Sequence, residues 1–149
     1  MALRDVVTVN NDVDGFLRKN TREVKEITPH ILMLLDDMVE TLNFNKGIGL
    51  AAPQIHVLRK MMITKINDKI TEFINPVILE GSGSSIDEEG CLSVPYRSGK
   101  VERPEEVTVA YTNRDGETVT IVASGAEARV ICHEIDHLNG VLFTDKMVN

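Results

Sequence analysis

The chain has 149 residues, 42% of them hydrophobic, and a formal net charge of −7. That length suits one domain over residues 1–149 around one core, and the negative balance argues against a general nucleic-acid binder, which carries a basic face. No apolar run is long enough to span a bilayer, and Met1 to Asn10 lacks the basic-then-apolar pattern of a secretory signal.

Residues 10–25 are polar and mixed, with Phe16 and Leu17 as an apolar pair, and read as a surface segment with a short turn of helix. Thr28-Pro29 then marks a helix start, threonine at the N-cap and proline in the first turn. Ile31, Leu35, Met38, Val39 and Leu42 recur at helical spacing, while Asp36, Asp37 and Glu40 fall on the opposite side. His30 reads as a surface residue. The stretch Gly47-Ile48-Gly49-Leu50-Ala51-Ala52-Pro53-Gln54 lacks the G-K-[ST] that completes a phosphate loop. It reads as a loop whose backbone approaches something closely, as glycine permits, or as a plain turn.

Strand patterns follow. Met61 to Thr64 and Phe73-Ile74 flank Asn67-Asp68-Lys69, a hairpin signal. Gly81 to Ser85 reads as a flexible connection, and residues 87–95 lead back into extended chain. Val107, Val109 and Tyr111 alternate with polar or small residues, as do Val119 and Ile121 beyond Asn113-Arg114-Asp115-Gly116. That is a hairpin with one buried face.

Ser124-Gly125-Ala126-Glu127 fits a capping box, so a helix begins there and still runs at His133-Glu134-Ile135-Asp136-His137. On that helix His133 and His137 lie one turn apart on one face. Two imidazoles so placed can bind one metal ion, with Glu134 able to reach a water on it as general base. Val130, Ile131, Ile135 and Leu138 make the helix largely buried, and buried polar groups need partners.

A catalytic site of this kind takes a third protein ligand. Position 143, where an extended H-E-x-x-H pattern has histidine, is Phe143, and Asp145 is the one acid after His137. The third ligand therefore lies upstream, among His30, His56, Cys91, Cys132 and several acids. Cys132 directly precedes His133, which turns it about 100° away toward the core. Cys91, in Glu89-Gly90-Cys91-Leu92-Ser93, is favoured because a thiolate suits a borderline metal. With just these two cysteines and no disulfide framework, the chain reads as cytoplasmic.

Three segments together, residues 47–54, 89–93 and 133–137, resemble in order and separation the signature motifs of the peptide deformylases. Val101, Arg103-Pro104 and Leu138 to Phe143 fit the same pattern, and the likeness covers most of the chain from about Thr28 onward. It implies an α+β fold with antiparallel β-sheets packed around a central helix carrying H-E-x-x-H. It also implies a metal held by Cys91, His133 and His137, commonly Fe2+, with Zn2+, Ni2+ or Co2+ able to occupy the site. The implied reaction removes the N-formyl group from the formylmethionine of nascent peptides. Gln54 and the Leu92 N–H then serve the developing oxyanion, and Gly47, Ile48, Gly49 and Leu50 align the substrate backbone as an added strand.

Some departures stand out. His56 occupies a place where that family usually has glycine, and Gly125 to Arg129 are smaller and more polar than the frequent leucine-rich version. The amino-terminal stretch matches mainly through Leu17-Arg18. The chain stops at Asn149 without the carboxy-terminal helix some relatives use on the ribosome, which leaves transient ribosome association open. The rival readings are another metallopeptidase and a catalytically silent metal- or peptide-binding module.

Overall fold

A computed structural model describes residues 2–148. The helix expected after Thr28 is α1, Pro29–Phe44, and the Thr28 hydroxyl accepts the Ile31 N–H at 3.3 Å. Such a cap contributes about 1 kcal/mol. Ile31, Leu35, Met38 and Leu42 are buried as their spacing requires, and His30 is exposed. Asp37 departs from the expected polar face. It is buried, accepting the Ala2 N–H at 2.7 Å and the Arg4 Nε–H at 2.9 Å. Its partners lie more than thirty residues away, so the helical period could not reveal them.

The main sheet has five antiparallel strands in the order β1-β2-β3-β6-β7. These are β1 (Gly49–Ala51), β2 (Met61–Ile66), β3 (Lys69–Ser82), β6 (Glu106–Thr112) and β7 (Thr118–Ser124). The β2–β3 register pairs Ile66 with Lys69, so Asn67 and Asp68 form a two-residue loop, both at positive φ. Those are the residues and the geometry of a type I′ hairpin. A separate hairpin joins β4 (Ser85–Cys91) to β5 (Val94–Arg103). The supposed flexible connection at 81–85 is mostly strand, because β3 runs to Ser82 and β4 begins at Ser85.

Strand β2 is apolar without alternation because both its faces are covered. Met61 and Ile63 pack with Leu35, Met38 and Leu42 of α1. Met62 packs with Phe73 and with Ile131 and Leu138 of α2, Gly125–Leu138. Burying a side chain of this size contributes about 1.5–3 kcal/mol. The H-E-x-x-H helix thus lies against one face of the main sheet, with the β4–β5 hairpin beyond it and α1 on the opposite face.

Helix α2 starts where expected, yet the Ser124 side chain makes no capping bond. Ser124 is still paired with Glu106 as the last residue of β7, which holds it extended. The helix stops at Leu138, and Gly140 just beyond it has φ +74°. The Gly140 N–H reaches the His137 carbonyl at 3.2 Å and the Val141 N–H reaches Asp136 at 2.9 Å, the paired bonds of a Schellman stop.

The amino-terminal residues do more than the polar composition indicates. Val7 N–H donates to the Gln54 carbonyl at 2.7 Å and Val9 N–H to the Ser93 carbonyl at 2.9 Å, tying two site loops together. Phe16–Arg18 is the expected turn of helix, but Leu17 is fully buried, with Val7, Val94 and Phe143. His56 adopts a left-handed conformation at φ 70°, a strain of about 1–3 kcal/mol. Its ring stacks on Phe16 with centroids 4.0 Å apart, which offsets part of that cost.

Candidate active site

A cleft of about 620 Å³ opens between β1, the β4–β5 hairpin and α2. Gln54, Cys91, His133 and Glu134 line it. Cys91 ends β4, while His133 and His137 project from one face of α2, one turn apart. Their ligand atoms all lie within 4.8 Å of one another, with Cys91 Sγ 3.2 Å from His137 Nε2. Two donors on one tetrahedral ion stand about 3.5 Å apart, given bonds of about 2.0–2.3 Å. The donor set therefore fits a metal. Cys132, as its helix position implies, is buried with Phe73 and Ile131 instead.

The surroundings fit a cation as well. His133 Nδ1 lies 2.9 Å from Glu89 Oε1, so the ring donates that proton and turns Nε2 toward Cys91. Burial raises the Glu89 carboxyl, but hydrogen bonds and charge from Arg103 and His133 outweigh it and hold the group at about 2. Burial likewise opposes charge on His133. Glu134's carboxylate and the bonds to Cys91 and Glu89 prevail and lift the imidazole to about 10. His137 is pushed down to about 3 by burial and by the charges of His133 and Arg103.

Glu89 is the hub that sequence reasoning missed. It receives Arg103 through two bonds of 2.9 Å and Arg129 at 2.7 Å, and Arg103 also reaches Asp136 at 2.6 Å. Arg129 further donates to the carbonyls of Val101 at 2.8 Å and Ser85 at 3.0 Å. The polar start of α2 therefore clamps the β4–β5 hairpin onto the helix. The one local signal was an acid two residues before Cys91. Glu89→Gln should weaken metal binding roughly 10- to 100-fold, the usual cost of losing a partner that orients a ligand. A competition titration with a chelator checks this, and an unchanged affinity would remove Glu89 from the site.

Gln54 is buried and fixed at both ends of its amide. Oε1 accepts the Ala51 N–H at 2.9 Å, while Nε2 donates to Ser93 Oγ at 3.1 Å and faces Cys91 Sγ at 3.5 Å. Ser93, also missed, is fully buried, and its N–H approaches Cys91 Sγ at 3.4 Å. Leu92 occupies the turn between β4 and β5 and lines the cleft.

Gly47, Ile48 and Gly49 line the cleft too, whereas the Leu50 side chain is buried against α1. The Ile48 carbonyl accepts from Lys65 on β2, and the Ala51 N–H points the other way, to Gln54. By strand alternation, the Gly49 main chain is turned from β2 toward the cleft. The close approach anticipated for this glycine is to Glu134. A Cβ on Gly49 would sit 2.5 Å from Glu134 Oε2 and 2.9 Å from Val130 Cγ1. Gly49→Ala should therefore displace the carboxylate and lower kcat about 100-fold, the scale of a 1 Å misplacement, with metal content retained. Normal kcat in that variant would contradict the contact.

The residues 3–149 match the family model described as polypeptide deformylase. The chain belongs to the polypeptide deformylase family. Peptide deformylase from Alkaliphilus metalliredigens is 47% identical over 148 residues, covering 99% of each chain. Peptide deformylase 1 from Clostridium acetobutylicum is 48% identical over 134 residues, 90% of this chain and 89% of that one. The crystal structure of the Thermotoga maritima peptide deformylase superposes with a TM-score of 0.95 at 33% identity, covering 100% of both chains. Deformylase structures thus share the sheets, the helix and the order of elements seen in this chain. The activity of the family is hydrolytic deformylation, and this chain has it.

Proposed function

We propose that this deformylase acts through a divalent metal held by Cys91 Sγ and the Nε2 atoms of His133 and His137, and that its substrates are nascent peptides beginning with N-formylmethionine. The observation that carries this reading is the convergence of those donors, Glu134 and the Gln54 amide at one end of a single cleft. When bound, the metal supplies a Lewis acid that makes water nucleophilic near neutral pH and polarises the formyl carbonyl.

The chain's own groups do the rest. Glu134 takes a proton from the attacking water and returns it to the methionine nitrogen as the C–N bond breaks, releasing formate and a free amine. Its Oε1 is buried with no hydrogen-bond partner among the described residues, as a group waiting for water would be. Gln54 Nε2 and the Leu92 N–H donate to the oxygen on which negative charge develops. The Gly49 main chain pairs with the extended substrate as an added strand. The Acinetobacter baumannii deformylase, TM-score 0.90 at 33% identity over 98% of this chain and 99% of that one, has been crystallised with Met-Ala-Ser bound, which supports a peptide ligand for this chain.

Iron(II) is the proposed resident metal, and zinc, nickel and cobalt accept the same nitrogen and sulfur donors. The proposed setting is the cytoplasm, a reducing compartment that suits two free cysteines, with transient contact at the ribosome as part of the same proposal. No helix among the described residues is long and apolar enough to cross a membrane. The protein purified anaerobically and loaded with Fe2+ should release formate from formyl-Met-Ala-Ser while leaving acetyl-Met-Ala-Ser and free Met-Ala-Ser intact. Cleavage of the ordinary amide bonds would indicate a peptidase, and no reaction with any peptide would indicate a silent binding module.

A further inference from the structure

The mouth of the cleft carries charge that the hydrolysis does not use. Lys46 and Arg97 both line it, both are exposed, and neither forms an ion pair among the described residues. Deeper in, Arg103 and Arg129 are already matched by Glu89 and Asp136. Of the acids lining the cleft, Glu89 is committed to those arginines and Glu134 is buried, while Glu88 is exposed and accepts from Ser98 Oγ at 2.9 Å. Two unpaired cations against one such acid leave the rim positive on a chain whose net charge is −7.

Tyr96 lines the same cleft, next to Arg97 in the chain. Its ring is fully exposed, and its backbone is held at φ 64°, a left-handed conformation unfavourable for tyrosine. The cause is the pairing of β4 with β5. Gly90 pairs with Ser98 but Cys91 pairs with Val94, so Pro95, Tyr96 and Arg97 bulge out without partners. Bulges re-aim side chains, and this one presents Tyr96 and Arg97 at the cleft. An extended substrate with its formyl group at Cys91 and Glu134 runs outward along Gly49 toward Ile48 and Lys46. At about 3.3 Å per residue, its second and third residues reach the part of the cleft that Lys46, Tyr96 and Arg97 line.

We propose that Lys46, Tyr96 and Arg97 form a reading rim that favours nascent chains with an acidic side chain at the second or third position over chains with a basic one. This rests on the deformylase reading and adds to it a preference beyond the formylmethionine. Tyr96 supplies an apolar face to the passing peptide, and the two cations supply the discrimination.

The test compares formyl-Met-Ala-Asp, formyl-Met-Ala-Ser and formyl-Met-Ala-Lys, read as kcat/KM for formate release. The aspartate peptide should exceed the lysine peptide by about five- to tenfold at low ionic strength, the scale of two exposed charge contacts. The difference should lie in KM rather than kcat and shrink as salt is raised. Lys46→Glu/Arg97→Glu should invert the order, and Lys46→Gln/Arg97→Gln, which is gentler on folding, should bring the ratio close to one. Tyr96→Ala should raise KM for all three peptides alike. A ratio near one in the unaltered protein, or the same ratio in the glutamine variant, would overturn the proposal while formate release upheld the deformylase reading. Absence of formate from every peptide would overturn both.

Discussion

Glu134→Gln should keep its metal and lose formate release by roughly 10²- to 10⁴-fold, the contribution of a positioned general base. The substitution preserves the volume of the side chain and leaves Cys91, His133 and His137 untouched. What it removes is a proton acceptor held in an unusual setting. Burial is the main influence on the Glu134 carboxyl and, despite the opposing charges of His133 and Arg103, raises it to about 7. A group there can accept a proton from water and give it up again in the same turnover. The absence of a side chain at Gly49 leaves room for one oxygen of the carboxylate, and the other is buried with no partner among the described residues. Metal analysis together with single-turnover formate release checks the prediction, and near-normal turnover in the metal-replete variant would take the base away from Glu134.

The second large effect separates the two cysteines. Cys91→Ser should weaken metal binding by more than the roughly 10- to 100-fold expected for a residue that only orients a ligand. Cys132→Ser should leave metal binding intact. Burial raises the Cys132 thiol, which keeps it protonated and a poor ligand among Phe73, Ile131 and Leu138. Its replacement puts a hydroxyl into an apolar setting and should cost about 1–3 kcal/mol of stability. Thermal unfolding and metal content of both variants distinguish the roles. Metal lost from the Cys132 variant and kept in the Cys91 variant would reverse them.

The features legible in the sequence are the local ones. Thr28-Pro29 announces α1, Asn67-Asp68 announces a tight hairpin, and His133 with His137 declares its geometry through helical spacing alone. Each of those signals is complete within a few residues. The support of the site is not. Glu89 meets Arg103, Arg129 and His133 across separations of 14, 40 and 44 residues. No window on the sequence contains such a contact. Asp37 was misread for the same reason, since its partners sit in the amino-terminal strap. Val7 and Val9 act through their backbones, and backbone donors leave no trace in residue identity. The Ser124 capping box fits by pattern, but the β6–β7 ladder had a prior claim on Ser124.

The central claim is that one metal is held by one thiolate and two imidazoles. X-ray absorption on protein loaded with one equivalent of zinc tests it most directly. The account predicts one sulfur at about 2.3 Å and two imidazole nitrogens at about 2.0–2.1 Å, with one lighter donor completing the shell. A first shell with no sulfur, or with two, would contradict it.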